Sequence, residues 1–311
     1  MEPYLGVFGH TALDIILQVP YLPEIDSSVA IDERVVRWGG TAANIARICA
    51  EMGVDVSLCS FVGDDFPEDY LNALERSGVH TYDLKKKEGH DTPRCWIVTD
   101  REGKEFTLIH QGAMGGMAKF EIASKTIEEC EIIHIGTGRP EHYKKIYDNS
   151  DLDHKIVAFD PAQELEYVYD AETFKWFLER SDLFFCNEKE KKVALRYSKE
   201  GSVESMRENF GLDLVLVTKG SKGSTAYLPG ATSHIAAYQV EKEVEATGAG
   251  DAFRAGFYAA LYRDYPLKES CIIGSARASF ALEHFGSQEN MVGWDEVISR
   301  VEKQDGSAPT T

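Results

Sequence analysis

Residues 244–257 read V-E-A-T-G-A-G-D-A-F-R-A-G-F, and the rest of the sequence is organised around them. Gly248 and Gly250 stand directly before Asp251, and an apolar run with helical spacing follows. Glycines allow a tight turn and a close approach of backbone N–H groups to a ligand. A helix that begins here adds unsatisfied N–H donors and a partial positive charge. The stretch therefore predicts an anion-binding site suited to phosphate.

Asp251 lies in the first turn of this predicted helix, beside the predicted phosphate site. A carboxylate in that position can act as the base that deprotonates an attacking hydroxyl group. The alternative is that Asp251 only caps the helix and that the glycines form an ordinary turn. The loop alone leaves both interpretations open.

Composition restricts the class of protein. The 311 residues allow two domains or one α/β domain with an addition. A net charge of −19 argues against nucleic acid and acidic membranes as partners, because both attract clustered Lys and Arg. The six cysteines form no Cys-x-x-Cys pair, which is typical of a reducing compartment. No signal peptide precedes the first predicted strand, and no apolar run reaches the roughly 18 residues that span a bilayer. A cytoplasmic protein is expected.

The main fold is predicted by an alternation of apolar strands and helices. Continuous apolar runs with β-branched residues are typical of strands whose two faces are both covered. Alternating strands and helices predict a mostly parallel sheet with right-handed crossovers. The predicted strands lie at 5–8, 54–62, 132–135, 156–159, 183–186 and 214–217, and they are followed by a predicted β-hairpin at 224–237. The C-terminal third is predicted to be helical at 251–262, 267–285 and 294–303, and a disordered tail is predicted from Gly306 onward.

A second, smaller sheet is predicted from segments that interrupt this alternation. Strand-like pieces lie at 15–19 and 29–36, and residues 94–110 have the pattern of a β-hairpin. Together they predict a small antiparallel sheet that could close over a site. We therefore expect one α/β domain of residues 1–311, with lid segments at about 15–38 and 92–113. The unpaired edges of such a sheet favour a homodimer through the lid.

Polar residues follow several strands of the predicted large sheet. Ligands of parallel sheets bind beyond the carboxyl ends of the strands. The candidates are Asp160-Pro161, Asn187-Glu188-Lys189-Glu190 and Thr218-Lys219-Gly220, on the same edge as the glycine loop. Gln163 joins them because it follows Asp160-Pro161, although a surface position would explain it equally well.

Three motifs give the chain a family resemblance. Thr247-Gly-Ala-Gly-Asp251, Trp38-Gly-Gly-Thr-Ala-Ala-Asn44 and Asn187-Glu-Lys-Glu190 resemble, in order and spacing, signatures of the PfkB or ribokinase-like family of carbohydrate and nucleoside kinases. The resemblance covers nearly the whole chain and implies a ribokinase-like α/β fold. Further runs are most similar to archaeal-type nucleoside kinases; they are 9–14, 92–100, 159–163, 217–224 and 278–283.

The resemblance implies transfer of the ATP γ-phosphate to the 5′-hydroxyl of a nucleoside, with Mg²⁺. Asp251 would be the general base, and the N–H groups of Ala249, Gly250 and Asp251, in the loop that begins at Gly248, would form the anion hole. Substrate hydroxyls would bind Asp14, Gly40 and Asn44, with Gln163 as a further substrate contact. Asn187 and Glu190 would order water around Mg²⁺, with Glu190 acting through water. The nucleotide would bind Asn187, Thr218, Lys219, Gly220 and Gly223.

Alternative interpretations remain open at this point. Asp14 could be a turn residue, Asn44 a helix-face amide, and Glu190 a carboxylate that only complements the helix dipole. Arg254 could reach a phosphate or pair with a carboxylate. The acceptor could be ribose, fructose or a keto-sugar acid, or the chain could be a ligand-binding sensor without catalysis.

Two features of the sequence limit the resemblance or exclude rivals. Glu245-Ala246 stands where the family usually has Asp-Thr, and in relatives that Asp often helps to hold a monovalent cation, so potassium activation is doubtful. The sequence contains no G-x-x-x-x-G-K-[ST] motif and no G-x-G-x-x-G motif after the first strand. This argues against a P-loop kinase and against a dinucleotide-dependent oxidoreductase.

Overall fold

The computed structural model describes residues 2–244 and 246–306, which form two β-sheets and their helices. The strands are β1 (Leu5–Phe8), β2 (Ala12–Val19), β3 (Glu33–Gly39), β4 (Val56–Val62), β5 (Leu84–Lys86), β6 (Arg94–Asp100), β7 (Glu105–His110), β8 (Ile132–Ile135), β9 (Ile156–Phe159), β10 (Leu183–Asn187), β11 (Leu214–Thr218), β12 (Ser224–Leu228) and β13 (Ala231–Ile235). The helices are α1 (Thr41–Glu51), α2 (Glu68–Arg76), α3 (Gly112–Gly115), α4 (Ser124–Glu129), α5 (Pro140–Asn149), α6 (Ala171–Leu178), α7 (Glu188–Ser198), α8 (Val203–Phe210), α9 (Ala249–Leu261), α10 (Leu267–Ala281) and α11 (Trp294–Gly306).

The large sheet has the strand order β13-β12-β11-β10-β9-β8-β1-β4-β5. The seven strands from β11 to β5 in this order pair in parallel, while β12 and β13 form an antiparallel extension at one edge. Hydrophobic clusters cover both faces of the sheet, and neighbouring residues of one strand, such as Val7 and Phe8, belong to different clusters. The predicted mostly parallel sheet flanked by helices is confirmed.

The small sheet has the order β3-β2-β6-β7. Its two outer pairs, β2–β3 and β6–β7, are antiparallel hairpins, as expected, but its central pair β2–β6 is parallel. The reason lies in the connections: β2 follows β1 and β6 follows β5, and β1 and β5 run in the same direction within the large sheet. Two hairpins that leave the large sheet in the same direction meet side by side in parallel.

The remaining differences from the sequence predictions concern short elements and ends. The short elements β5, α3 and α4 were not predicted, and α10 ends at Ala281 although its apolar pattern continues to 285. The predicted tail from Gly306 onward lies almost wholly outside the described residues. Among the described helices, none combines the length and the apolar character that crossing a bilayer requires.

Candidate active site

The start of α9 presents two backbone N–H groups to an open space. Gly248 precedes the helix with a left-handed φ of 78°, and a Cβ atom there would lie 2.4 Å from the Cβ of Ser287, so only glycine fits. The N–H of Ala249 donates to the carbonyl of Ala246 at 3.2 Å. The N–H groups of Gly250 and Asp251 have no backbone acceptor within the described residues. These two N–H groups are therefore available to an anion, whereas that of Ala249, which was predicted to join them, is already used.

Asp251 is the third residue of α9 and does not cap it, because Gly248 occupies the capping position and no side chain caps the helix. Its carboxylate oxygen Oδ2 accepts a hydrogen bond from Asn44 Nδ2 at 2.7 Å. Burial raises the pKa of Asp251 to about 7, although the bond from Asn44 and the charge of Arg254 both oppose this shift. A carboxyl group with this pKa can accept a proton from an alcohol near neutral pH.

Three adjoining cavities meet at this helix end. The small-sheet cavity, of about 290 Å³, and the junction cavity, of about 280 Å³, are both lined by Asp251. The C-terminal cavity, of about 430 Å³, lies between the β11–β13 edge and helices α9 and α10. Gly250 lines all three cavities. Asp251 and the two N–H groups therefore lie between the small-sheet cavity and the C-terminal cavity, where the junction cavity connects them.

The small-sheet cavity contains the four residues predicted to bind the substrate: Asp14, Gly40, Asn44 and Gln163. Gly40 has φ 93°, and a Cβ atom there would lie 2.5 Å from the carbonyl oxygen of His10, so the backbone turn into α1 requires glycine. Strands β6 and β7 contribute further lining residues, which are Arg94, Cys95, Ile97 and Ile109. One wall of this cavity is therefore the small sheet.

A hydrogen-bonded chain in the same cavity was missed by the sequence reasoning. His10 Nδ1 lies 2.7 Å from Thr137 Oγ1, and His10 Nε2 lies 2.5 Å from Gln111 Oε1. Gln111 Nε2 then donates to Glu164 Oε1 at 2.9 Å. These residues come from four separate segments, and only His10 falls within a quoted motif. All four residues line the small-sheet cavity, as Asp251 does, and offer polar groups to a ligand there.

The C-terminal cavity holds three of the five residues predicted to bind the nucleotide, and a fourth, Asn187, lines the junction cavity. Thr218, Gly220 and Gly223 line the C-terminal cavity, whereas Lys219 lines none of the three cavities. Apolar lining comes from Phe253 of α9, Ala278 of α10 and Leu282 directly after α10. An apolar slot next to backbone-rich turns suits a flat aromatic base.

Asn187 and Glu190 line the junction cavity and also cap α7. Asn187 Oδ1 accepts from the N–H of Glu190 at 3.0 Å, and Glu190 Oε2 accepts from the N–H of Asn187 at 2.8 Å. Burial, with Asp160 nearby, raises the pKa of Glu190. The structural and the functional interpretation of Glu190 are therefore compatible, since one carboxylate serves as a cap and faces the cavity.

Arg254, left open by the sequence, pairs with a carboxylate. Its Nε donates to Asp160 Oδ2 at 2.8 Å, and its Nη1 donates to the carbonyl of Gly250 at 3.2 Å. Both side chains of the ion pair are buried. Arg254 is therefore held by Asp160 and by the first turn of its own helix.

The junction cavity has carboxylates that fit Mg²⁺. Among the described residues, no group of three or more His, Cys, Asp or Glu side chains could hold a metal ion. Mg²⁺ in kinase sites needs only one or two carboxylates, together with substrate phosphates and waters. Glu190 and Asp160 both line the cavity and satisfy this looser requirement.

A further cavity of about 400 Å³, lined from β1, β4 and the 121–125 segment, contains none of the predicted site residues. The Glu245-Ala246 departure falls partly on Glu245, which lies outside the described residues, while Ala246 lines the C-terminal cavity.

The chain is similar over nearly its whole length to known kinases. Residues 3–293 match the model of the pfkB family carbohydrate kinases. The chain is 35% identical over 303 residues to the nucleoside kinase of Methanocaldococcus jannaschii, and the match covers 95% of each. It is 31% identical over 304 residues to the nucleoside kinase of Methanothermobacter thermautotrophicus, covering 97% of this chain and 96% of that one. The crystal structure of the M. jannaschii nucleoside kinase superposes with a TM-score of 0.89 at 34% identity, covering 97% of this chain and 99% of that one.

Proposed function

The chain belongs to the pfkB family of carbohydrate kinases, and we propose that it transfers the γ-phosphate of ATP to the 5′-hydroxyl of a nucleoside. The observation that carries this proposal is the position of Asp251 between two binding cavities, next to two N–H groups without backbone acceptors. The relatives named nucleoside kinases support a nucleoside as the acceptor.

In this proposal the nucleoside occupies the small-sheet cavity. Asp14, the backbone at Gly40 and Asn44 contact the ribose hydroxyls, and Gln163 lies at the rim. Asp251 accepts the proton of the 5′-hydroxyl as the hydroxyl oxygen bonds to the γ-phosphorus. The bond from the γ-phosphorus to the oxygen that bridges it to the β-phosphate breaks, and ADP leaves. A positioned base of this kind contributes about 10²–10⁴ in rate. The N–H groups of Gly250 and Asp251 stabilise the charge on the transferred phosphoryl group.

ATP occupies the C-terminal cavity, with its phosphates directed toward the junction cavity. Thr218, Gly220 and Gly223 contact the nucleotide, and the apolar residues of α9 and α10 flank its base. Bound Mg²⁺ supplies charge neutralisation on the phosphates. Glu190 and Asn187, which line the junction cavity, would hold the ion through water.

The acceptor class is tested by a substrate panel. With ATP and Mg²⁺, inosine, guanosine, cytidine and adenosine are compared with ribose, fructose and keto-sugar acids, and 5′-phosphorylated nucleosides are the expected products. Turnover of free sugars alone would replace the nucleoside assignment with a sugar kinase. Binding of nucleosides without turnover of any compound would indicate a sensor.

The proposal extends to the small sheet, to the assembly of the protein and to its compartment. The small sheet acts as a lid of the single domain, supported by the four side chains that β6 and β7 contribute to the cavity wall. The exposed face of the small sheet is the proposed interface of a homodimer. The exposed apolar side chains of Phe106 and Leu108 on the edge strand β7 support this. The cytoplasm is the proposed compartment, supported by six free cysteines.

A further inference from the structure

Gln288 lies in the connection between α10 and α11 and lines none of the three cavities of the proposed site. Its side chain is only 6% exposed and lies beside Asn44, the partner of Asp251. The same connection brings Ser287 against Gly248 of the anion-hole loop. A buried amide in this place needs hydrogen-bond partners for both of its ends.

The orientation of the Gln288 amide is fixed by Arg47. Arg47 Nη1 donates to Gln288 Oε1 at 3.1 Å. A guanidinium group has donors and no acceptor, so only the carbonyl end of the Gln288 amide can face it. The guanidinium carbon of Arg47 itself lies 5.5 Å from the ring centre of Trp38, which stacks on Tyr70.

The NH₂ end of Gln288 must then point toward Asn44 and Tyr70. Its Nε2 donates to Asn44 Oδ1 at 2.8 Å and to the Tyr70 hydroxyl at 2.6 Å. The Tyr70 hydroxyl uses its own hydrogen on the carbonyl of Gly39 at 2.8 Å, so it can only accept from Gln288. Both hydrogens of the Gln288 amide are therefore used, and neither bond tolerates reversal.

The orientation of Gln288 in turn fixes the orientation of the Asn44 amide. Its carbonyl end is held by Gln288, so its Nδ2 faces Asp251 Oδ2 at 2.7 Å. If the Asn44 amide were turned around, its carbonyl oxygen would face the carboxylate, and only a protonated Asp251 could tolerate that contact. The orientation of one amide thus decides which charge state of Asp251 is stabilised.

We propose that Gln288 is a positioning residue that locks the Asn44 amide with its donor toward Asp251 and so keeps this carboxylate ionised and ready to accept a proton. The inference rests on the proposed function, in which Asp251 is the base. The inference also assigns a role to Trp38 and Arg47. Trp38 stacks on Tyr70 and lies beneath the guanidinium group of Arg47, and Tyr70 and Arg47 hold Gln288 in one orientation.

Other charged or titratable groups also face Asp251, and a test of Gln288 must leave these groups unchanged. Arg254 favours its ionised form, and Asp160, paired with Arg254, opposes it. The titratable side chains that share a cavity with Asp251 are His10, Asp14, Arg94, Cys95, His134, Asp160, Glu164, Glu190 and Arg254. Substitutions at Gln288 leave all of these groups in place.

The test compares Gln288→Met and Gln288→Glu with the unaltered protein, and uses Asn149→Asp, an exposed amide-to-acid change on α5, as the control. Gln288→Glu pairs with Arg47 and accepts from Asn44, which turns the Asn44 amide. In Gln288→Glu, the acid limb of the pH profile of kcat should move upward by about one pH unit. This corresponds to a loss of kcat of about tenfold at pH 6 and to little loss at pH 9. Gln288→Met adds no charge and should move the limb by about half a unit.

A second readout does not depend on turnover. The Asp251 carboxyl carbon, assigned by its loss in Asp251→Asn, is titrated by ¹³C NMR in the ligand-free protein, and its pKa should rise in both Gln288 variants. The inference is overturned if the pKa moves only in Gln288→Glu, because added charge alone would explain that. It is equally overturned if kcat falls by one factor at every pH. Absence of nucleoside phosphorylation in the unaltered protein would refute the proposed function and leave the NMR test valid.

Discussion

Replacing Asp251 by Asn should make the ligand-free protein more stable while it abolishes most of the activity. An acid whose pKa is higher in the folded than in the unfolded chain binds its proton more tightly when folded, so stability is lost as the pH rises through the folded value. For Asp251 that window runs from 3.8, its ordinary value, to about 7. Asn carries no charge at any pH and avoids the loss.

The magnitude follows from the size of the shift. The difference between the two pKa values corresponds to roughly 4 kcal/mol. Asp251 lines two open cavities, where solvent screens its charge, so we retain about 1–2 kcal/mol of this amount. At pH 8, Asp251→Asn should therefore raise the Tm by roughly 2–5 °C. The gain should be smaller at pH 5, where the folded protein still holds the proton on Asp251.

The assay is thermal unfolding of the ligand-free protein at pH 5 and pH 8, with kcat measured in parallel. The exposed Asp153→Asn serves as the matched control and should change neither quantity. We expect kcat of Asp251→Asn to fall by about 10²–10⁴. A variant that is less stable at pH 8, or that gains the same stability at both pH values, would refute the reasoning that burial strains the ionised carboxylate.

Three further outcomes are expected. Arg254→Met leaves Asp160 as an unpaired buried charge, so urea unfolding should show a loss of about 3–5 kcal/mol, and the additional change Asp160→Leu should recover part of it; a loss below about 1 kcal/mol would contradict the pairing. Glu190→Gln should raise the Mg²⁺ concentration needed for half-maximal rate with little change in the KM for nucleoside, whereas an unchanged Mg²⁺ titration would remove Glu190 from the ion site. Leu108→Lys should convert the proposed dimer to a monomer in sedimentation velocity, with exposed Lys192→Met as the control, and a native protein that is already monomeric would end that proposal.

Local signals explain which parts of the site could be predicted from the sequence. A buried strand followed at once by polar residues indicates the ligand-binding edge of a parallel sheet, and this signal identified Asp160, Asn187 and Thr218. The glycines of the 247–251 loop and the helix after it belong to one continuous stretch. In each case, the chain itself carries both the structural element and the functional residue.

The parts that could not be predicted depend on contacts between distant segments. Gln288 contacts Asn44 across 244 positions, and His10 contacts Gln111 across 101. No periodicity or turn signal marks such residues, because their partners are chosen by the packed fold. The parallel pairing of β2 with β6 is of the same kind, since it follows from the shared direction of β1 and β5.

The most direct measurement is a crystal structure of the protein with inosine and a non-hydrolysable ATP analogue with Mg²⁺. The account predicts the 5′-hydroxyl oxygen within roughly 2.6–3.2 Å of an Asp251 carboxylate oxygen, with the γ-phosphate on the N–H groups of Gly250 and Asp251. A nucleoside bound with its 5′-hydroxyl remote from Asp251, or a γ-phosphate held away from these N–H groups, would contradict the assignment of the site.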